Sequence, residues 1–311
     1  MRRGLRFGVT LLTALPLAAA SAHAQSAQVS VLTQFAPGMN PSAVAATNTG
    51  DVVAQVGPYV VSVGPNGQQK TVATISVGPG SATPIGLAYD QFHHLYTAVP
   101  RAFGPRGAIL KISASGKLLT AVPGSEGMVA PDGFGLDSAT GEMYVTDIFG
   151  NGIWRFTPGG SAQLWASAAT NPLLMLPDGV KVFDNALYVS LEAGRILKMP
   201  INSDGSAGIA TIWAQVPGAF FDDMVLDDRT GNVYVARIDT NEVLQITPGR
   251  AITPIATNAD GLLGAFNMSL IHMGEGTVIY VANSGVDFLA TGTISSVGPA
   301  ILEITIPSRS K

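Results

Sequence analysis

Four side chains that carry oxygen ligands recur along the chain at a nearly constant interval: Asp132, Asp178, Asp222 and Asn267. Each stands close to the start of an apolar segment, and Ser42 and Ile85 occupy the same position in two weaker copies of that segment. The six positions are separated by 43, 47, 46, 44 and 45 residues. Carboxylate and amide oxygens without His or Cys suit Ca²⁺, and to a lesser degree Mg²⁺, far better than zinc. The set therefore indicates a cation site, provided that the fold gathers these positions.

The segment belongs to a repeated unit. The stretches "DGFGLDSATGEMYV" (132–145) and "DDMVLDDRTGNVYV" (222–235) share one frame at an offset of 90 residues, and "PDGVKVFDNALYVS" lies between them. Each copy reads as an apolar strand, a turn, a "YV"-type strand, and then two further strands. Four strands in roughly 45 residues is the size of a β-propeller blade. Six copies predict an all-β, six-bladed propeller with four-stranded antiparallel blades.

The two ends of the repeat predict how the ring closes. The last copy has only three strands, near 269–272, 278–282 and 300–306. The stretch "VSVLTQFAPG" (29–38) resembles the fourth strands of the other copies. We therefore expect this N-terminal strand to complete the last blade, which leaves no long exposed sheet edge. A β-sandwich would not repeat at 45 residues, and the coils of a β-solenoid would be shorter.

Residues 1–24 have the pattern of a secretory signal peptide. Arg2, Arg3 and Arg6 precede the apolar stretch "VTLLTALPLAAA", and Ala22-His23-Ala24 is a small-x-small cleavage site. Cleavage near Ala24 would export residues 25–311 as a single propeller domain to the periplasm or the exterior. No later stretch is long and apolar enough to suggest a membrane anchor.

Charge and cysteine content narrow the partners further. Removing the signal peptide takes away three arginines and no acid, so the net charge falls from −4 to −7. A nucleic-acid partner is not expected at that charge, whereas a small-molecule ligand is compatible with it. Because the chain has no cysteine, an exported form has no disulfide bonds and must be stabilised by burial.

Propeller geometry converts the repeat into a site, because the innermost strands all begin at one end of the central channel. We therefore predict that Asp132, Asp178, Asp222 and Asn267 bind a cation there, and that Asp222 or Asp178 serves as a general base. An alternative interpretation is structural. "Pro-Asp-Gly" is a common turn signal, in which Asp caps the turn and Gly allows positive φ.

The loops on the same side of the ring are the expected walls of a pocket, since binding residues concentrate on loops held by a rigid scaffold. The residues predicted to contact a substrate are Arg101, Phe149, Glu192, Arg237 and Phe288. The three histidines outside the predicted signal peptide, His93, His94 and His272, are expected on the opposite side of the ring.

The blades "PDGFGLDSATGEMYVTDIFGNGIWRF" and "PDGVKVFDNALYVS" resemble those of the SMP-30/gluconolactonase-like superfamily, whose motifs are shared with NHL-repeat proteins. This resemblance implies a calcium-dependent lactonase or phosphotriesterase, with one catalytic metal held by Asn or Asp at the starts of inner strands. By position, that role would carry over to Asp132, Asp178, Asp222 and Asn267. The family's metal-binding glutamate of the first blade has no counterpart at Ser42 or Ile85.

Two functions follow as alternatives. The first is an exported, metal-dependent hydrolase of lactones or related esters. The second is a non-catalytic, NHL-like propeller that binds a ligand or a partner protein on its loop face. A third interpretation, a streptogramin-opening lyase, would require His and Glu at the channel mouth.

Overall fold

The computed structural model describes residues 27–75, 83–100, 107–117 and 119–307. These residues form 24 strands in six four-stranded antiparallel sheets. The predicted six-bladed β-propeller is confirmed. Within the described ranges the only helical segments are two short 3₁₀ turns, at Ser125–Gly127 and Asn258–Asp260. The predicted signal peptide lies outside the described residues, so its cleavage stays a prediction.

The strands of each blade follow one another in chain order from the channel outward, except in the last blade. The innermost strands are β2 (Pro41–Ala46), β6 (Gly86–Tyr89), β10 (Pro131–Leu136), β14 (Pro177–Phe183), β18 (Phe221–Leu226) and β22 (Ala265–Met273). The second strands are β3 (Val52–Val56), β7 (Leu95–Val99), β11 (Met143–Asp147), β15 (Ala186–Leu191), β19 (Val233–Arg237) and β23 (Gly276–Asn283). The third strands are β4 (Tyr59–Val63), β8 (Ala108–Ile112), β12 (Gly152–Phe156), β16 (Arg195–Pro200), β20 (Glu242–Ile246) and β24 (Ala300–Ile306). The outer strands are β5 (Gln69–Thr74), β9 (Leu119–Ala121), β13 (Gln163–Ser167), β17 (Thr211–Gln215), β21 (Ile252–Ala256) and, for the last blade, β1 (Gln28–Gln34).

The ring closes through the last blade. Strand β1 pairs with β24 in antiparallel register, from Gln28 opposite Thr305 to Gln34 opposite Ala300. The blade thus combines the first strand of the described chain with the last three, as predicted. Because β1 covers the edge of β24, the backbone groups of that edge are paired.

The hydrophobic core is divided into six clusters, and each one lies between two neighbouring blades. The second strands are sandwiched between blades on both faces, so β3, β7 and β11 are buried along their whole length. Strands buried on both faces are continuously apolar rather than alternating, which explains the "YV"-type segments. The core therefore forms a closed belt that holds the inner strands in position.

The turns between first and second strands explain the second aspartate of the repeated frame. Asp137 accepts the backbone N–H of Ala139 at 2.9 Å, and Asp227 accepts that of Arg229 at the same distance. Gly141 and Gly231 follow with φ of 77° and 71°, a conformation that favours glycine. These turns lie at the far face of the ring. The inner strands begin at the opposite side, which we call the mouth face.

In the described ranges, no helix has the length and apolar character needed to cross a membrane.

Candidate functional site

Each inner strand that carries a predicted aspartate begins with a β-bulge. Pro131 pairs with Asp147 and Phe134 pairs with Val145, so Asp132 and Gly133 lie between two ladder pairs. The register shifts in the same place in β14 and in β18. A bulge re-aims the side chain of the unpaired residue. Asp132, Asp178 and Asp222 therefore share one position, at the mouth end of three successive inner strands, which we call the mouth position.

The three carboxylates lie close enough to perturb one another. Burial raises the pKa of Asp132 well above its usual 3.8, and the charges of Asp178, Asp223 and Glu192 raise it further. The pKa of Asp178 is raised by burial and by Asp222, whose side chain shares a hydrogen bond with it. Burial and the Asp132 charge likewise raise the pKa of Asp222. The structure thus brings these three predicted residues together, and their negative charges conflict unless a proton or a cation intervenes.

Among the three mouth carboxylates, Asp178 has a buried oxygen whose lost hydration no hydrogen bond replaces. It is 3% exposed, and its Oδ1 has no hydrogen-bond partner among the described residues. An unpartnered buried carboxylate oxygen is costly, because it has lost its hydration without gaining a donor. Carboxylate oxygens are the donors that Ca²⁺ prefers. The oxygens of Asp132, Asp178 and Asp222 do not all come within 4.8 Å of one another, a distance that among the described residues is met by Asp227, Asp228 and His272. The donor type of the three mouth carboxylates therefore suits a hard cation, and their side chains would have to move closer to coordinate it together.

The conformations of the glycines contradict the alternative interpretation, in which "Pro-Asp-Gly" only forms a turn. Gly133 and Gly179 do not have positive φ. A Cβ on Gly133 would clash with the Asp178 carbonyl and stand 2.8 Å from Gly179 Cα, while one on Gly179 would stand 2.6 Å from the Met224 nitrogen. These glycines allow adjacent inner strands to approach each other closely, rather than shaping turns.

Two hydroxyls on second strands, which were not predicted from the sequence, fix the bulges. Thr146 Oγ1 accepts the Gly133 N–H at 2.9 Å and donates to the Asp178 carbonyl. Ser190 Oγ accepts the Gly179 N–H at 2.7 Å and donates to the Asp222 carbonyl at 2.7 Å. Each hydroxyl thus links the bulge of its own blade to the next blade. These two residues could have been found in the sequence as polar residues at equivalent positions of second strands that are otherwise apolar.

Asn267 lies one residue later in the repeat than predicted. The bulge of β22 falls between Ala265 and Asn267, so Phe266 is the residue at the mouth position. Asn267 is equivalent to Asp223, and its Nδ2 donates to Asp223 Oδ2 at 2.7 Å while its Oδ1 accepts the Val44 N–H at 2.9 Å. The spacing predicted that Asn267 is equivalent to Asp222, and this prediction is wrong. Asn267 instead bridges Asp223 and Val44, and both ends of its amide are hydrogen-bonded.

Lys181 and Asp223 form a second charged group inside the channel, also missed from sequence. Asp223 is 2% exposed, and its Oδ1 lies 3.3 Å from Lys181 Nζ. The same Nζ donates to the Phe134 carbonyl at 2.9 Å, and the Lys181 charge lowers the pKa of Asp132 against the larger effects that raise it. This pair could have been found in the sequence from the lysine within an inner strand and from the two consecutive aspartates at 222–223.

The predicted wall residues have different environments. Glu192 follows β15 directly and acts electrostatically on all three mouth carboxylates, and burial raises its own pKa. Arg237 is held by Asp239 at 2.7 Å and Glu242 at 3.4 Å, and Asp239 also accepts the Phe220 N–H. Arg237 therefore stabilises the loop that leads to Asp222, and its contact with a substrate stays a prediction.

Two predicted aromatic contacts lie on mouth-face loops. Phe149 and Phe288 are 63% and 57% exposed. The Phe288 ring contacts the ring of Phe266 at 5.7 Å and that of Phe220 at 6.4 Å between centroids. Phe288 thus belongs to an aromatic cluster that includes the mouth position of the last blade. Arg101 lies outside the described residues.

The mouth positions divide into two arcs. The acidic arc consists of Asp132, Asp178 and Asp222, and the neutral arc consists of Phe266, Ser42 and Ile85. Ser42 lies in a bulge like the aspartates, and its hydroxyl donates to the Pro84 carbonyl at 2.7 Å. The blades of the two arcs are consecutive around the ring, so the mouth has a charged half and a largely apolar half.

The histidines lie on the far face, as predicted. His272 Nε2 is 2.8 Å from Asp228 Oδ1 and 3.8 Å from Asp227 Oδ1, and these three residues could together hold a metal ion. Asp227, however, already caps its own turn. His93 and His94 border a cavity of about 490 Å³ between the first two blades. Neither group is near the mouth carboxylates.

No family model and no curated protein matches the chain. Solved structures do match it. A gluconolactonase from Xanthomonas campestris is 18% identical, with a TM-score of 0.67 and 93% of each chain covered. The PQQ-bound aldose sugar dehydrogenase of Streptomyces coelicolor is 14% identical, with a TM-score of 0.62, over 90% of this chain and 98% of that one.

Virginiamycin B lyase from Staphylococcus aureus is 15% identical, with a TM-score of 0.56, over 92% of this chain and 90% of that one. Because these three proteins are named for three different activities, the shared fold does not determine the reaction. The residues at the mouth must therefore carry any argument about function. What the similarity establishes is that the chain has the six-bladed propeller fold found in gluconolactonase.

Proposed function

We propose that this protein is an exported, metal-dependent hydrolase of lactones or related esters, with its active site at the channel mouth. The observation that carries the proposal is the buried, unpartnered Oδ1 of Asp178 beside Asp132 and Asp222. A propeller that needed only stability would gain nothing from this arrangement, because it buries like charges without satisfying them.

Asp132, Asp178 and Asp222 would hold the cation, and Ca²⁺ suits them best because it accepts irregular oxygen donors and leaves positions for other ligands. When bound, it would polarise the substrate carbonyl and stabilise the negative charge that develops on its oxygen. Glu192, at the edge of the same group, adds a fourth negative charge that favours a divalent ion over a monovalent one.

Asp178 and Asp222 have different roles in proton transfer. The charge of Asp222 raises the pKa of Asp178, and this favours a proton on Asp178 when no cation is present. Asp222 Oδ1 accepts the Asp223 N–H at 2.9 Å, and this bond favours the ionised form of Asp222. Asp222 is therefore the better general base: it accepts a proton from water as the water oxygen bonds to the carbonyl carbon. The C–O bond then breaks, and the leaving oxygen takes up the proton.

Two further features support the proposal. The gluconolactonase neighbour covers nearly the whole chain, although at 18% identity. The basic and apolar start of the chain favours export. A small, neutral substrate is compatible with the acidic protein, because no strongly basic patch is needed to bind it.

Proton release from a panel of lactones and carboxylic esters tests the proposal, with Ca²⁺ present and after chelation. We expect chelation to abolish hydrolysis, and we expect Asp222→Asn to lower kcat by roughly 10²–10⁴-fold, the usual contribution of a general base. Asp184→Asn is the matched control, since Asp184 lies in an exposed far-face turn and Asn tolerates its φ of 50°.

Full activity in both Asp222→Asn and Asp178→Asn, with both variants folded, would contradict the proposal. Ca²⁺ binding without hydrolysis of any member of the panel would favour the non-catalytic, ligand-binding alternative.

A further inference from the structure

The neutral arc and its aromatic cluster suggest which substrates this site accepts. Phe266 holds the mouth position of the last blade, where three other blades place an aspartate. Its ring is nearly perpendicular to that of Phe288, at 84°, and Phe288 also contacts Phe220, two residues before Asp222. The cluster thus adjoins the carboxylate that we assign as general base.

Phe288 contributes little to the stability of the propeller. At 57% exposed, most of its ring faces solvent, so it adds little to the core of the propeller. Single exposed apolar residues are ordinary, but contiguous apolar surface marks a binding site. An exposed ring that contacts two others beside a buried carboxylate group is such a surface.

The apolar character extends along the mouth face. Among the described residues, seven large apolar side chains are exposed on mouth-face loops, among them Phe149, Met175, Phe288 and Leu289, against two on far-face loops and one, Met273, at the far end of β22. Four of the seven belong to the single long loop between β23 and β24, the loop that carries Phe288. The excess of exposed apolar groups therefore lies on the side that carries the acidic arc.

Two polar side chains of the described part of the mouth, one on each arc, are already engaged within the protein. The Ser42 hydroxyl donates to the Pro84 carbonyl, and Arg237 is held by Asp239 and Glu242. A polyhydroxylated substrate placed here would leave hydroxyl groups without partners, and each of them would lose its hydration without gaining a hydrogen bond.

We propose that the substrate is amphiphilic: its ester or lactone carbonyl lies at the acidic arc, and an alkyl chain or apolar ring lies against Phe266 and Phe288. This inference rests on the proposed hydrolase function and adds the substrate class, which differs from that of a sugar lactone. Phe288 is then a specificity-determining residue, and its side chain selects for the apolar group.

Hydrolysis of five-membered lactones that differ only in their alkyl substituent, from methyl to hexyl, tests the inference with Ca²⁺ present. Glucono-δ-lactone is the polar comparison. We expect kcat/KM to rise with chain length, by about fourfold at most for each fully buried methylene. We expect Phe288→Ala to lower the ratio of kcat/KM for the hexyl over the methyl lactone by about tenfold, and Phe288→Leu to restore part of it.

Phe92→Ala is the matched control, because Phe92 is 62% exposed but lies on the far face. It should not change the ratio. A preference for glucono-δ-lactone, no dependence on chain length, or an equal loss for all substrates in Phe288→Ala would overturn the inference.

A binding measurement separates failure of this inference from failure of the proposed function. Titration calorimetry with 4-hydroxydecanoate and 4-hydroxybutanoate, the open forms of the hexyl lactone and of the unsubstituted lactone, needs no catalysis. Tighter binding of the longer acid that is lost in Phe288→Ala would support an amphiphilic ligand even if no lactone is hydrolysed. Equal affinity, or no binding of either acid, would overturn it.

Discussion

At the level of single residues, the distinctive feature of the mouth is that three carboxylates are buried near one another. Asp132, Asp178 and Asp222 all have raised pKa values, and burial is the largest cause in each case. The sequence could identify the three aspartates because they recur in one frame. It could not show that one oxygen of Asp178 lacks a partner, because that depends on where the neighbouring blades place their donors.

The burial of these carboxylates predicts an unusual dependence of stability on pH. A carboxyl whose pKa is raised in the folded protein binds its proton more tightly there than in the unfolded chain. Its stabilising contribution is complete below the unfolded value near 3.8 and is lost as the pH rises through the folded value. We therefore expect the melting temperature of the chelated protein to fall as the pH is raised above about 4, and Ca²⁺ to restore it increasingly at higher pH.

Asp178→Asn should flatten this profile and raise the stability of the chelated protein at neutral pH, by about 1.4 kcal/mol for each tenfold change in proton affinity that it removes. Asp184→Asn should leave the profile as it is. Differential scanning calorimetry with and without chelator provides the measurement. A chelated protein whose stability rises through this pH range would show that the mouth carboxylates are not in conflict.

At the level of elements, the bulge at the start of five of the six inner strands decides which residue faces the channel mouth. The bulge is why Asn267 lies one position later than the spacing indicated, and why Phe266 joins the mouth. A spacing that varies between 43 and 47 residues cannot fix register to a single residue, because loop lengths differ between blades. The hydrogen bonds that place the bulges come from second strands, through Thr146 and Ser190.

The close approach of inner strands gives a prediction for Gly133→Ala. The added Cβ would clash with the Asp178 carbonyl and crowd Gly179, so β10 and β14 would have to separate. Overpacking of this kind costs typically about 1–3 kcal/mol, and we expect Ca²⁺ affinity to fall as well. Chemical denaturation and calcium titration provide the two measurements.

Gly249→Ala is the control for that substitution. Gly249 does not have positive φ, and a Cβ there would meet only Thr247 Oγ1, at an ordinary 3.7 Å. It should be neutral or slightly stabilising, since it lowers the entropy of the unfolded chain. If the two alanine variants were equally stable, the inner strands would not be constrained at Gly133.

At the level of the whole molecule, the ring gathers residues that are far apart in the chain. Its six core clusters lie between blades rather than within them, so each blade is stabilised by its two neighbours. Closure through β1 and β24 gives the first and last blades the same support. The mouth site depends on that closure, because the last blade adjoins the first there, where the Val44 N–H donates to Asn267 Oδ1.

Closure predicts how the chain responds to rearrangement. Gln28 pairs with Thr305, so a short turn could join Pro307 to Ala27, with new termini at the exposed Gly38. We expect this circular permutant to fold, with a melting temperature close to that of the unpermuted chain of residues 27–307. A chain that begins at Met39 lacks β1, exposes the edge of β24, and should be strongly destabilised or associate through that edge.

Circular dichroism melts and size-exclusion chromatography distinguish these outcomes. The permutant is the control, because it retains every residue of β1 and changes only its connection. A truncated chain as stable as the unpermuted chain of residues 27–307 would show that β1 does not support the ring.

The sequence by itself determined the number of blades, the four-stranded repeat, the closing strand and the three aspartates of the mouth. These follow from local patterns, namely strand periodicity, turn residues and a repeat of nearly constant length, which any one segment carries within itself. Only the tertiary structure decided the register of Asn267, the bridge between Lys181 and Asp223, the place of Glu192 beside the carboxylates, and the aromatic cluster around Phe266. Each of these depends on strand register or on contacts between segments far apart in the chain, and bulges and packing fix these rather than the spacing of the repeat.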